Sequence, residues 1–210
     1  MHSNKSTPKD ARRPVQPQRQ QGKDRVASLL AAAAAVIAEQ GYEAATMAEI
    51  AARAGAQIGS LYRFFPNKEL LADALIQRYR ELVEAAFDEI EGHMSKLSTS
   101  RLADVLLDLL IGLHSESQAM MALLQVHANW SAKRTEFRQA AFNRIAQILK
   151  LRSPELNLDT ARDMAVVLLQ NMKAMKALTF EESGSTSPGV INELREMNRI
   201  YLARKLTKKS

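Results

Sequence analysis

At 210 residues the chain has room for one large domain or two small ones, and 46% hydrophobic residues supply a core to fold them. Cysteine is absent, which excludes disulfides, thiolate metal sites and cysteine nucleophiles, and no apolar run reaches the roughly 18–20 residues that span a bilayer. The net charge of +6 is uneven: residues 1–80 hold 12 Lys and Arg against seven Asp and Glu, whereas residues 81–210 hold 17 against 16, so a polyanionic partner is expected at the front of the chain.

Residues 1–22 contain three of the six prolines, four glutamines and the cations Lys5, Lys9, Arg12, Arg13 and Arg19, with almost no large apolar side chain. Such a stretch cannot bury enough surface to offset its ordering entropy, so it reads as a disordered basic arm. No apolar segment follows its charges, unlike an export signal, and the cytoplasm is the expected compartment. Beyond the arm no segment alternates with period two, and residues 23–206 read as all-α with about nine helices. Leu29, Leu30, Ala33 and Ile37 mark one face of a first helix over 26–40, stopped by Gly41. Thr46 and Glu49 form a capping box that opens a short helix with Met47, Ile50, Ala51 and Ala54 on its inner side, and Gly55 ends it. A second short helix follows with Ile58, Leu61 and Phe65 turned inward. Pro66 and Asn67 open a long helix over 67–94 with the stripe Leu71, Leu75, Tyr79, Leu82, Ala86 and Ile90. Helices over 102–113, 119–130, 133–149, 159–179 and 188–205 complete the series. Asp159 is the expected cap of the helix over 159–179, and Pro188 opens the last one after a loop over 181–189. The internal boundary is expected within the helix at 67–94, giving domains over 23–83 and 84–210.

Two short helices around a glycine turn match the helix-turn-helix unit, here over 46–65. The outward face of its second helix shows Gln57, Gly59, Ser60, Tyr62 and Arg63. In a major groove glutamine can pair with adenine, serine with several base edges, and arginine with guanine or phosphate. Gly59 admits close approach of the backbone, and Tyr62 can donate to a phosphate. Lys68 falls in the first turn of the next helix, where the dipole disfavours a cation, so it makes more sense facing a phosphate. Arg25, just ahead of the first helix, is counted with these DNA-facing residues.

Residues 25–75 resemble the N-terminal domain of the TetR family of bacterial regulators. The matching stretches run from Leu29-Leu30-Ala31-Ala32 to Ile37-Ala38-Glu39-Gln40-Gly41-Tyr42, through Ala45-Thr46-Met47-Ala48-Glu49-Ile50-Ala51 and Ala54-Gly55, to Gly59-Ser60-Leu61-Tyr62-Arg63-Phe64-Phe65-Pro66-Asn67-Lys68-Glu69-Leu70-Leu71. The resemblance implies an all-α homodimer with two heads on double-stranded operator DNA, palindromic to match the dimer. It implies that Thr46, Tyr62 and Lys68 hold phosphates while Gln57, Gly59 and Ser60 face bases. Phe64 stands where the family often has histidine, and Ala56-Gln57 where many members have a small apolar residue and serine, so the base preference does not carry over.

The family precedent for the rest of the chain is a small-molecule effector bound among the middle helices. The candidate lining consists of Leu106, Leu110, His114, Met121 and Leu124, followed by His127, Trp130, Phe142, Met164 and Met172: mostly apolar walls with a few polar points. Leucine and methionine at helical spacing also serve as plain core. The last two helices are the expected dimer surface, with Val167, Met175, Leu194, Met197 and Tyr201 as its residues, pairing as a four-helix bundle. No metal site or organic cofactor is implied, and no membrane partner. An all-helical enzyme is the reading from another class; against it, the sequence has no cysteine, no Gly-rich phosphate loop, no His-Glu-x-x-His and no Gly-x-Ser-x-Gly. A DNA-binding dimer without an inducer is the other alternative.

Overall fold

A computed structural model describes residues 20–126, 130–180 and 187–206, with side chains in these ranges except at 124–133. The described residues form nine α-helices and one short 3-10 turn, with no strand. They fall into two compact units divided between Ile76 and Gln77, within the helix that carries the expected boundary but short of residue 83. No helix among the described residues is long and apolar enough to cross a membrane.

The first unit comprises α1 (Gln20–Ala44), α2 (Met47–Arg53), α3 (Ile58–Phe64) and the start of α4 (Lys68–Gly92). Helix α1 begins inside the stretch read as a disordered arm: the Gln20 amide donates to Asp24 at 2.8 Å, one turn on, and residues 20–22 are helical. The rest of the arm, residues 1–19, lies outside the described residues. At Gly41 the backbone leaves the helix at φ 83°, a conformation side chains resist, and the break turns Tyr42 into the core. Leu29, Ala33 and Ile37 of α1, Ile50 and Ala51 of α2, Leu61 of α3 and Leu71 of α4 are buried almost completely. Each large aliphatic side chain among them contributes about 1.5–3 kcal/mol by leaving water.

The second unit contains the remainder of α4, α5 (Thr99–Gly112), α6 (His114–Val126), α7 (Trp130–Arg152), α8 (Leu158–Thr179) and α9 (Pro188–Leu206). Helix α8 packs on both α5 and α7, and its Ala161, Met164, Leu168 and Met172 share one buried cluster with Leu102, Leu106, Ile145 and Leu149. Helix α9 lies along α5. Arg195 grips Asp108 at 3.1 and 2.5 Å, and Arg199 grips Asp104 at 3.0 Å through two nitrogens. Asn198, fully buried, donates to the Leu194 carbonyl and accepts from Asn171 of α8, so its amide is satisfied on both sides. Helices α5, α6 and α7 are bounded at Thr99–Gly112, His114–Val126 and Trp130–Arg152 where 102–113, 119–130 and 133–149 were expected, and two starts have a side-chain cause. The cap of α8 is Asn157, whose Oδ1 accepts from the Asp159 and Thr160 amides, while Asp159 sits inside the first turn and complements the helix dipole. Helix α6 starts at His114, five residues before the expected 119, because the Ser117 hydroxyl donates to the His114 carbonyl within the turn and does not break it.

Candidate nucleic-acid interface

The α2–turn–α3 unit is locked at three points. Thr46 Oγ1 accepts from the Glu49 amide at 3.2 Å while the Glu49 carboxylate accepts from the Thr46 amide at 3.1 Å and from its hydroxyl at 2.8 Å. These bonds hold the Glu49 carboxyl below its usual pKa range. At the other end the Gly55 amide reaches the Ala52 carbonyl and the Ala56 amide reaches Ala51, with Gly55 at φ 57°. This is the Schellman arrangement, and its left-handed residue is why a glycine stands there. Across the unit, Arg53 makes a two-pronged contact with Glu39 of α1 at 2.6 Å, tying the orientation of α2 to α1.

With Leu61, Phe64 and Phe65 buried, α3 turns its other face to solvent. Gln57 stands at its N-cap without a side-chain cap bond, Gly59 is open on its Cα side, Ser60 is half-exposed, and Tyr62 and Arg63 are exposed. Phe64 lies in the core, so the position where the family often has histidine offers nothing outward here. No acidic residue occurs between Glu49 and Glu69, while Arg53, Arg63 and Lys68 do, a charge pattern suited to a polyanion. Thr46 and Arg25 are also exposed.

Two residues differ from the sequence reading. Ile58, expected to face inward, is 45% exposed. Lys68 does not hang free at the N-terminus of α4. Its ammonium donates to the carbonyls of Tyr42, Glu43 and Ala45 at 2.9–3.1 Å and lies 4.5 Å from the centre of the Tyr42 ring. The repulsion expected from α4 is thereby offset by the carbonyls that end α1, where a cation is favoured. All three donors of the ammonium are engaged within the fold.

In the second unit Leu106, Met164 and Met172 are fully packed core, and Leu110 and Phe142 lean on the same cluster. Met121 faces solvent. The side chains of Leu124, His127 and Trp130 lie outside the described residues. His114 stacks on Phe180 with ring centroids 3.5 Å apart, next to Lys176, whose ammonium donates to Ser117. This polar cluster was visible in the sequence only as an isolated histidine, because Ser117 and Lys176 are 59 residues apart. Of the expected dimer residues, Val167 and Met197 are 43% and 52% exposed. Met175 is a correction: it is fully buried within its own subunit because α8 is apolar on more than one face and this face is the inner one. Leu194 and Tyr201 are half-buried, Tyr201 against the core. Val166 and Ile200, apolar positions of the same two helices, are 42% and 59% exposed. No group of three His, Asp or Glu suited to a metal occurs among the described residues.

Residues 29–75 match the family model for bacterial regulatory proteins of the tetR family. The HTH-type transcriptional repressor KstR2 of Mycobacterium tuberculosis is 39% identical over 71 residues, covering 30% of this chain and 36% of the repressor. The aligned part thus spans little more than a third of that relative. A transcriptional regulator from Aquifex aeolicus superposes with a TM-score of 0.66 at 19% identity over 86% of this chain and 98% of its own. A TetR-family regulator from Streptomyces coelicolor does so with a TM-score of 0.57 at 27% identity over 89% and 99%.

Proposed function

We propose that the chain, whose residues 29–75 match the family model for bacterial regulatory proteins of the tetR family, is a member of that family and a repressor that binds a specific DNA operator as a homodimer and releases it on binding a small molecule. The observation that carries the reading is the exposed face of α3. Its inner side is fixed by Leu61, Phe64 and Phe65, its approach angle by the Gly55 turn and the Arg53–Glu39 pair, and its outer side presents an amide, a hydroxyl, a phenol and a guanidinium with no carboxylate among them. These groups suit base edges and phosphates. The KstR2 likeness, which covers 30% of this chain, supports the repressor sign.

For release by an effector, the supporting feature is the cluster of His114, Ser117, Lys176 and Phe180, which offers an aromatic wall beside polar and cationic groups. A small apolar or aromatic compound with a polar head suits it. The second unit also supports dimerisation through the exposed apolar residues of α8 and α9.

The test is fluorescence anisotropy of the purified chain with DNA from upstream of its own gene, across a salt series, against random DNA. The expected result is a preference of about a thousandfold or more, with affinity falling as salt rises. Equal affinity for both DNAs overturns the reading.

A further inference from the structure

We infer that Ile58 reads the C5-methyl group of a thymine in the operator, and is therefore a specificity-determining residue of α3. The inference rests on the operator-binding reading above and goes beyond it by assigning one residue and the chemical group it recognises. A single exposed apolar side chain is ordinary on a protein surface; the place of this one is not. Ile58 is the first residue of α3 and is 45% exposed, while Tyr62, one turn later on the same side, is 47% exposed. Local structure gains little from isoleucine here, since a β-branched residue is a poorer helix former than alanine.

The neighbours define what can meet it. Gln57, immediately before, makes no cap bond with its amide, and Gly59, immediately after, has no side chain and nothing within 4 Å of where a Cβ would stand. The start of α3 therefore presents an amide, an aliphatic group and bare backbone in succession. The major groove contains amide-compatible donors and acceptors and one apolar group, the thymine methyl. Glutamine matches adenine there, and an aliphatic side chain beside it matches that methyl and leaves cytosine, which lacks it, unrewarded.

The experiment starts by selecting binding sites for the full chain from a pool of random duplexes. Each thymine of the selected site is then replaced singly by deoxyuridine, which removes only the methyl. Wild type, Ile58→Ala and Ile58→Val are titrated on each duplex by anisotropy. At one thymine per half-site the replacement is expected to weaken wild-type binding about fourfold, the magnitude of one buried methyl group. Ile58→Ala should bind the unmodified site more weakly by a similar or larger factor and be indifferent to that same replacement, and Ile58→Val should keep part of the sensitivity. Because the side chain is exposed, both variants should melt within a few degrees of wild type. Ile58→Val carries the comparison if the alanine variant binds too weakly to titrate. Selection of a site at which no thymine is sensitive, or sensitivity unchanged in the variants, overturns the inference while leaving the regulator reading intact. A pool from which no sequence is enriched overturns that reading, and the inference with it.

Discussion

Lys68 has its charge at the wrong end of α4 for that helix's dipole, yet its three donors are shared among three carbonyls at the end of α1. Replacing it by methionine keeps the stem and removes the donors, so the first unit should lose about 1–2 kcal/mol, read as a lower urea midpoint with an unchanged slope. The exposed residues of α3 should behave differently. Gln57→Ala should cost about 1–3 kcal/mol on the selected operator and almost nothing on random DNA, whereas Tyr62→Phe should weaken both by the same factor; anisotropy titrations on the two DNAs separate them. His114 gives a pH dependence. Burial, and then the nearby Lys176 charge, hold its pKa below the usual 6.5. The folded chain thus prefers the neutral ring while the unfolded chain takes up a proton near 6.5. The stabilisation is fully present above that value and is lost as the pH falls through it toward the lower folded pKa. Melting temperature should therefore drop between about pH 7 and pH 5, and His114→Phe, which keeps a ring against Phe180, should drop less.

At the scale of elements, the two-helix head depends on one backbone conformation. Gly55 sits at φ 57° with open space around it, so Gly55→Ala meets no steric neighbour and its cost is purely conformational. About 1–2 kcal/mol is expected, measured by chemical denaturation, with weaker operator binding if the angle between α2 and α3 relaxes. This turn and the Thr46–Glu49 box were legible in the sequence because their partners lie within five residues. Ile58 was not. A helix of seven residues offers two turns of pattern, and two turns do not fix which side of the first residue faces in. The phase came from packing: Leu61, Phe64 and Phe65 fill the inner side and leave Ile58 at its edge. The same limit appears in α8, apolar around more than one face, where only packing within the second unit decides that Met175 is interior and Val167 is not. The Lys68 contacts were invisible for a different reason, being 23 to 26 residues apart in the chain.

At the scale of the molecule, each unit encloses its own core, and what each leaves uncovered differs in kind. The first exposes mainly polar and cationic groups on α3, with Ile58 as the aliphatic exception; the second exposes aliphatic ones on α8 and α9, among them Val166, Val167, Met197 and Ile200. Polar groups suit a charged, hydrated partner, and aliphatic groups a partner that can exclude water, which under the proposed function is a second copy of the chain. Met197 and Ile200 are three residues apart on α9 and flank the buried Asn198, which anchors that helix to α8. Replacing both with glutamate therefore places charge on the outer side without touching the inner one. The double variant should keep its helical circular dichroism and sediment as a monomer of 23.4 kDa where wild type is expected at twice that mass. Its affinity for a two-half-site operator should fall sharply while its weak affinity for a single half-site is retained, because each head is intact and only their coupling is gone. A double variant that still sediments as a dimer would move the interface off this face of α9, and one that loses both DNAs equally would mean that the substitutions had reached the head.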